Sequence, residues 1–210
     1  LVRLLQGIAS YTYTVIFGYS GASRPLDLFD DFPASKRRVF VTDYQEGPYL
    51  LDPFYLAATR PVAPGLYRIR DLAPDRFYQG EYFRNYYIQT GLAEEIGFFV
   101  DIPGAAVVVL SLMRDQKPFS QRELRALEDV RPVVEACVRR HWSDLHARFD
   151  QVPDGPRGPE VESRIEKSFH SFGDGLLTAR ERQIVEHTLK GHSADAVGRT
   201  VLELMPNTEA

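Results

Sequence analysis

EIGFFVDIPGAAVVVLSLM, residues 95–113, is the stretch on which the fold turns. β-Branched and aromatic residues fill both arms and Pro103-Gly104 marks a turn between them, so two consecutive strands are predicted, Glu95 to Ile102 and Ala105 to Met113. Ala106-Val107-Val108-Val109-Leu110 is apolar at every position, which suits a central strand covered on both faces.

Upstream, Tyr11, Tyr13, Val15 and Phe17 alternate with Thr12, Thr14 and Ile16, the period of a half-buried strand that Gly18 to Ser23 would end. A helix is expected around Leu50 to Thr59, with Pro53 in its first turn. Another is expected from Asp75 to Thr90, where Tyr78, Tyr82 and Tyr86 recur every fourth residue. Downstream, Ser120 and Glu123 form a capping box that opens a helix expected to reach His146. Leu124, Leu127, Val134, Val138 and Leu145 line it at heptad-like spacing, which suits either packing on its own domain or a dimer seam. Pro132 inside it should cause a kink costing ~3 kcal/mol. Strand, helices, hairpin and terminal helix make an α+β domain with an antiparallel sheet covered by helices.

QVPDGPRGP, residues 151–159, holds three Pro and two Gly, a composition neither helix nor strand tolerates, and reads as a linker. Beyond it, Thr178 and Glu181 make a second capping box. Ile184, Val185, Thr188 and Leu189 give the helix an apolar stripe, and Gly191 ends it. Ser193 caps a second helix, Ala194 to about Leu202, with Asp195 favourably placed in its first turn.

Leu177, Thr178, Arg180, Glu181, Val185, Leu189, Gly191 and Ser193 resemble, in letter and spacing, the LuxR-type helix-turn-helix regulators. The resemblance implies double-stranded DNA as a partner, contacted by Thr178, Arg182, Lys190, His192, Ser193, Asn207 and Thr208. Val201 to Thr208 is one residue longer than the family's turn, and Met205 stands where Ser is common. The family's recognition helix, which lies in the major groove, follows that turn; only Glu209 and Ala210 follow Thr208, so the expectation is a partial head lacking it. From Ser163 to Ala210 six Lys or Arg face seven acids, so this segment should hold DNA weakly.

The residues before the linker, including Lys117 to Leu124 leading into the terminal helix, resemble in pattern the GAF or PAS-like sensory domains found upstream of such heads. The organisation implied is a GAF/PAS-like sensory domain at 1–149, a Pro/Gly linker at 150–162, and a partial LuxR-type head, small and all-α, at 163–210. Acyl-homoserine-lactone receptors of the same superfamily carry a Trp and Tyr set in their pocket; the single Trp here, Trp142, falls on the terminal helix, so that ligand is not implied. A small-molecule pocket between sheet and covering helices would draw on Tyr11, Tyr13, Tyr82, Tyr86 and Phe98, whose spacing equally suits plain core.

No apolar run is long enough to span a bilayer, and the lone Cys137, flanked by Val133, Val134 and Val138, reads as a small buried hydrophobe in a reducing cytoplasm. His141, His146, His170, His187 and His192 show no metal-ligand spacing, and no phosphate loop or nucleophile elbow is present, so no enzyme activity, metal or cofactor is expected. Adjacent Glu94 and Glu95 point to opposite faces and read as a solvated turn. Two functions remain: a cytoplasmic, homodimeric transcription regulator controlled by its sensor, or a sensor or dimerisation module without DNA binding.

Overall fold

The hairpin at residues 95–113 lies inside a five-stranded antiparallel sheet. The computed structural model describes residues 1–21, 23–60, 62–104, 106–151 and 175–203. Strands β1 (Tyr13–Ser20), β2 (Leu26–Asp30), β3 (Gly65–Arg68), β4 (Glu94–Ile102) and β5 (Ala106–Arg114) run in the order β2-β1-β5-β4-β3. Gly104, at φ 90°, makes the β4–β5 turn where an L side chain would be strained. Register pairs Glu95 with Met113, Gly97 with Ser111 and Phe99 with Val109. It also pairs Val15 with Ser111 and Phe17 with Val109, so these residues share one face.

The two faces differ in chemistry. One carries Ile16, Ile96, Phe98, Val100, Val108, Leu110 and Leu112, an aliphatic-rich surface. It is covered by α1 (Val2–Gln6), α6 (Gln121–Asp129), α7 (Arg131–His141) and α8 (Leu145–Gln151). The other carries Val15, Phe17, Tyr19, Phe99, Val109 and Met113. Its cover is short and irregular: α2 (Ala34–Arg37) running on through a π turn, α3 (Pro53–Ala58), α4 (Ile69–Leu72), and a broken stretch ending in α5 (Ile88–Thr90). Aromatic rings dominate this layer, with pairs such as Phe32 and Phe40 stacked at 4.3 Å. Layers of helices thus sit on both sides of the sheet.

Several expectations change. β1 begins at Tyr13, continues through Gly18 to Ser20, and is buried on both faces because it sits between β2 and β5. β2, β3 and the helical run from Ala34 to Glu46 carry too little periodicity to stand out in sequence. The Asp75 to Thr90 helix is broken into a 3-10 turn at Phe77–Gln79, a π turn at Phe83–Tyr87 and α5, so Tyr78 points outward while Tyr82 and Tyr86 are buried. The terminal helix is three helices. Pro132 sits in the first turn of α7, where its missing N–H costs nothing, so it starts a helix instead of kinking one.

The heptad-like seam packs inward. Leu127, Val134, Val138 and Leu145 are fully buried against their own sheet, and Leu124 packs beside them, so this stripe is not a free dimer surface. Cys137, expected inside, is exposed because it lies on the flank of α7, turned about 100° from Val138 and off the buried Val134–Val138 stripe. The capping box at Ser120 is present, with the Glu123 N–H donating to Ser120 Oγ at 3.3 Å and Ser120 N–H donating to Glu123 at 2.8 Å. Arg114 joins it: its guanidinium donates to Glu123 at 2.5 Å and lies 3.9 Å from the Phe119 ring centroid. Those bonds, Arg114's first, hold the Glu123 carboxyl down at about 2.

Beyond the Pro/Gly-rich stretch, of which only Gln151 is described, two helices follow: α9 (Ala179–Leu189) and α10 (Ala194–Glu203). Thr178 caps α9 with Glu181 in the expected box, and Gly191 turns the chain at φ 90°. Asn207 and Thr208 lie outside the described residues.

Candidate functional site

Glu94 and Glu95 are both buried, which corrects the solvated-turn reading; a carboxylate inside a strand covered on both faces has no route to water. Their opposite orientations hold, and so do opposite fates. Glu94 faces the aliphatic side, where Arg68 Nε donates to it at 2.7 Å and Phe119 N–H donates at 2.5 Å, tying β3 and the start of α6 to β4. Glu95 faces the aromatic side, where the Ser111 hydroxyl is its hydrogen-bond partner.

A second carboxyl reaches the same side. Asp52 caps α3 because Pro53 at the first helical position leaves Phe54 N–H as the donor to be satisfied, at 2.9 Å. Its other oxygen accepts from Tyr44 Oη at 2.6 Å. Tyr44 has spent its proton there, so Tyr19 donates to Tyr44 at 3.1 Å, giving a buried relay Tyr19, Tyr44, Asp52. Gly97 makes room for α3: a β-carbon there would lie 2.9 Å from the Phe54 ring and 3.0 Å from Val109.

Asp52, Glu95, Ser111, Tyr19, Tyr44, Tyr82 and Tyr86 line one cavity of about 20 Å³, room for a single water-sized occupant. Burial raises Glu95 to about 8, helped by the Asp52 charge and opposed by Ser111. Burial likewise raises Asp52 to about 6 against the hydrogen bonds from Tyr44 and the backbone. The phenols of Tyr19, Tyr44, Tyr82 and Tyr86 are pushed far above their usual range by the same desolvation and stay neutral. A larger open cleft of about 520 Å³ lies between the end of α3 and the β4–β5 turn, flanked by Arg60 and Asp101. It lacks any buried ionisable side chain, so the smaller cavity is the better candidate for selective recognition.

Of the five pocket candidates from sequence, the structure brings Tyr82 and Tyr86 together in this cavity. Tyr13 belongs to the same layer but packs on Phe32 and Phe40, outside the lining. Tyr11 precedes β1 and lies on the other face, its hydroxyl donating to Val2 O at 2.7 Å to hold α1. Phe98 is core on that same face, since β4 alternates and Glu95, Gly97 and Phe99 own the cavity side. Asp52 and Glu95 were missed; an Asp directly before a Pro at a helix start, and an acid inside a central strand, were the signals.

The helical pair docks on the segment that closes this cavity. Arg76 N–H donates to Gly191 O at 3.0 Å, and Ser193 N–H donates to Asp75 Oδ1 at 2.9 Å. Hydrogen bonds from the Ser193 hydroxyl and N–H hold the Asp75 carboxyl below its usual range. Ser193 Oγ also accepts from Ala196 N–H at 3.2 Å, capping α10 as expected. Among the remaining DNA-contact candidates, Thr178 is exposed at the start of α9, Arg182 is half-buried, and Lys190 is largely buried in an ion pair with Glu186. His192 packs edge-on to His187 at 5.2 Å, and burial lowers both imidazoles.

Among the described residues no helix is long and apolar enough to cross a membrane, and no group of His, Cys, Asp and Glu is placed to hold a metal. No family model matches the chain. A relative from Aeromonas salmonicida, described as an HTH-type transcriptional regulator in the exeN 3′ region, is 30% identical over 148 residues, 70% of this chain and 75% of the relative. The chain belongs to the HTH-type transcriptional regulators. Its fold is similar to the crystal structure of the LBD domain of VqsR from Pseudomonas aeruginosa, with TM-score 0.58 and 26% identity over 68% of this chain and 85% of that one. CepR2 from Burkholderia cenocepacia, an N-acylhomoserine-lactone-dependent LuxR-family transcription factor, aligns at TM-score 0.45 and 18% identity over 69% of this chain and 81% of that chain.

Proposed function

We propose that this chain is a cytoplasmic, homodimeric LuxR-type regulator in which a small molecule entering the aromatic cavity controls the docking of a DNA-binding helical pair. The sensor is of GAF/PAS-like architecture within residues 1–149, the linker occupies 150–162, and the head follows it. The antiparallel order β2-β1-β5-β4-β3, with short irregular helices over an aromatic cavity on one face, supports the sensor reading. The spacing from Leu177 to Ser193 supports the head.

One observation carries the coupling: the stretch from Asp75 to Thr90 belongs to both places. Tyr82, Tyr86, Tyr87 and Thr90 line the cavity, while Asp75 and Arg76 hold Ser193 and Gly191. A ligand larger than one water must displace the lining, and the displaced segment carries the dock with it. The ligand then shifts the equilibrium by its differential affinity for docked and released states.

The dock opposes DNA binding by occupying the place DNA would use. A helix N-terminus attracts a phosphate through its free N–H groups. At α10 that place is taken by the Asp75 carboxylate, a built-in anion. Release would free Ser193, and would bring Thr178, Arg182, Lys190 and His192 to the phosphates, with Asn207 and Thr208 beyond them.

The test is an electrophoretic shift at low salt with duplex DNA, comparing the wild type with Asp75→Ala. Greater retention of the variant, falling as salt rises, is expected. No retention of any duplex by either protein would remove the DNA reading and leave a sensor or dimerisation module.

A further inference from the structure

Asp52 and Glu95 face one cavity, and among the described residues no Lys, Arg or His lines it. This contrasts with Glu94, one residue away, which the same fold supplies with Arg68. A buried carboxylate without a cation is costly, and two facing each other cost more. Around them stand the rings of Phe17, Tyr19, Tyr44, Tyr82 and Tyr86, with Phe17 to Tyr44 at 5.0 Å and Tyr82 to Tyr86 at 5.3 Å. Ring faces attract a cation and offer an apolar wall to the carbon skeleton behind it. Acid plus aromatic box is the chemistry of ammonium recognition.

We propose that the cavity, opened by displacement of its 82–90 lining, is a receptor for a small organic amine, whose ammonium sits between the Asp52 and Glu95 carboxyls and whose apolar body lies against the tyrosine rings. The inference rests on the sensor reading above and names its ligand class. A neutral acyl compound leaves the two acids as they are. An ammonium supplies the missing counter-charge.

Proton balance follows. With burial holding Glu95 near 8, the carboxyl is protonated at neutral pH and must give its proton to solvent when an ammonium arrives. The groups facing it across the cavity are Asp52 from the α3 cap, Tyr44 and Tyr19, the tyrosines of the 82–87 stretch, and Ser111 beside it on the sheet. The phenols stay neutral, so Glu95 and Asp52 alone supply charge. Amine affinity therefore rises from pH 6 to pH 8, by up to about tenfold for each unit over which one proton is released.

The experiment uses the full chain with two probe pairs of matched shape: butylamine against butanol, and phenethylamine against 2-phenylethanol. Titration calorimetry at pH 7.5 reads affinity. At least one amine is expected to bind tenfold or more tightly than its alcohol. Glu95→Gln should erase that preference while leaving alcohol binding unchanged. Ser111→Ala removes the hydroxyl that favours the charged acid and should weaken amine binding more than alcohol binding, and circular dichroism verifies that both variants fold.

Alcohols binding as tightly as amines would overturn the ligand class while leaving the cavity a sensor site. A preference for amines that survives Glu95→Gln would overturn the assignment of the acid. Binding of neither probe type, together with DNA retention unaffected by any of the four compounds, would overturn the amine proposal and the sensor reading together.

Discussion

Replacing Glu95 by Gln should flatten the pH dependence of folding stability. The Glu95 carboxyl stands at about 8 in the folded protein against 4.5 for a free one, chiefly because burial disfavours its charge. The folded state therefore binds this proton more tightly than the unfolded chain does. Its contribution is fully present below about pH 4.5 and is lost as pH rises through about 8. At about 1.4 kcal/mol per pH unit, the wild type should lose ~3 kcal/mol between pH 5 and pH 8 from this group. A domain of this kind is stable by only ~5–15 kcal/mol, so the change is measurable. Asp52, at about 6, adds a loss of ~1 kcal/mol between pH 5 and pH 7 in both proteins. Gln keeps the shape and the hydrogen-bonding capacity without the charge. Urea unfolding followed by circular dichroism at pH 5, 6.5 and 8 should show the two proteins similar at pH 5 and the variant more stable by ~3 kcal/mol at pH 8. Parallel curves across that range would refute the burial of an unpaired Glu95.

Gly97→Ala puts a methyl 2.9 Å from the Phe54 ring and should destabilise the protein by ~1–3 kcal/mol in the same assay; a neutral result would mean α3 does not press on the sheet there. Leu127→Ala, at a fully buried position, should cost ~2–5 kcal/mol independent of protein concentration. A loss that depends on concentration would instead assign the stripe to a dimer. Asp75→Asn weakens the acceptor for Ser193 N–H, so deuterium exchange at that amide should speed up several-fold while exchange within β5 stays unchanged; identical rates at Ser193 would discard the dock.

What could be read from the letters followed from local rules. The β4–β5 hairpin, Pro53 in the first turn of a helix and the two capping boxes depend on neighbours within a few residues, and they stand where expected. The failures needed tertiary knowledge. Tyr11 looked in phase with Tyr13, yet β1 begins only at Tyr13 and the residue before it turns to the other face. Tyr78 shares the spacing of Tyr82 and Tyr86, but the 3-10 turn at Phe77–Gln79 ends on an extended Gly80, so Tyr78 is not on the helical run that carries the other two. A charged residue such as Glu95 is expected at the surface. Its burial follows from the hairpin being central, a fact already implied by Val107-Val108-Val109 on the partner arm.

The junction between the helical pair and the 75–80 turn joins main chain to main chain at Arg76, Gly80 and Gly191, with the Asp75 carboxylate at its edge. A β-carbon on Gly80 would lie 3.4 Å from the Gly191 Cα, and Gly191 holds a left-handed φ of 90° that other residues adopt only under strain. Where Gly80 and Gly191 meet there is no side chain to slide or repack, so a substitution at either residue must open the contact or strain the turn. Adjustment comes more readily from the rim, where the exposed Asp75 carries the Ser193 bond and can change in charge or reach without putting a side chain into the glycine contact.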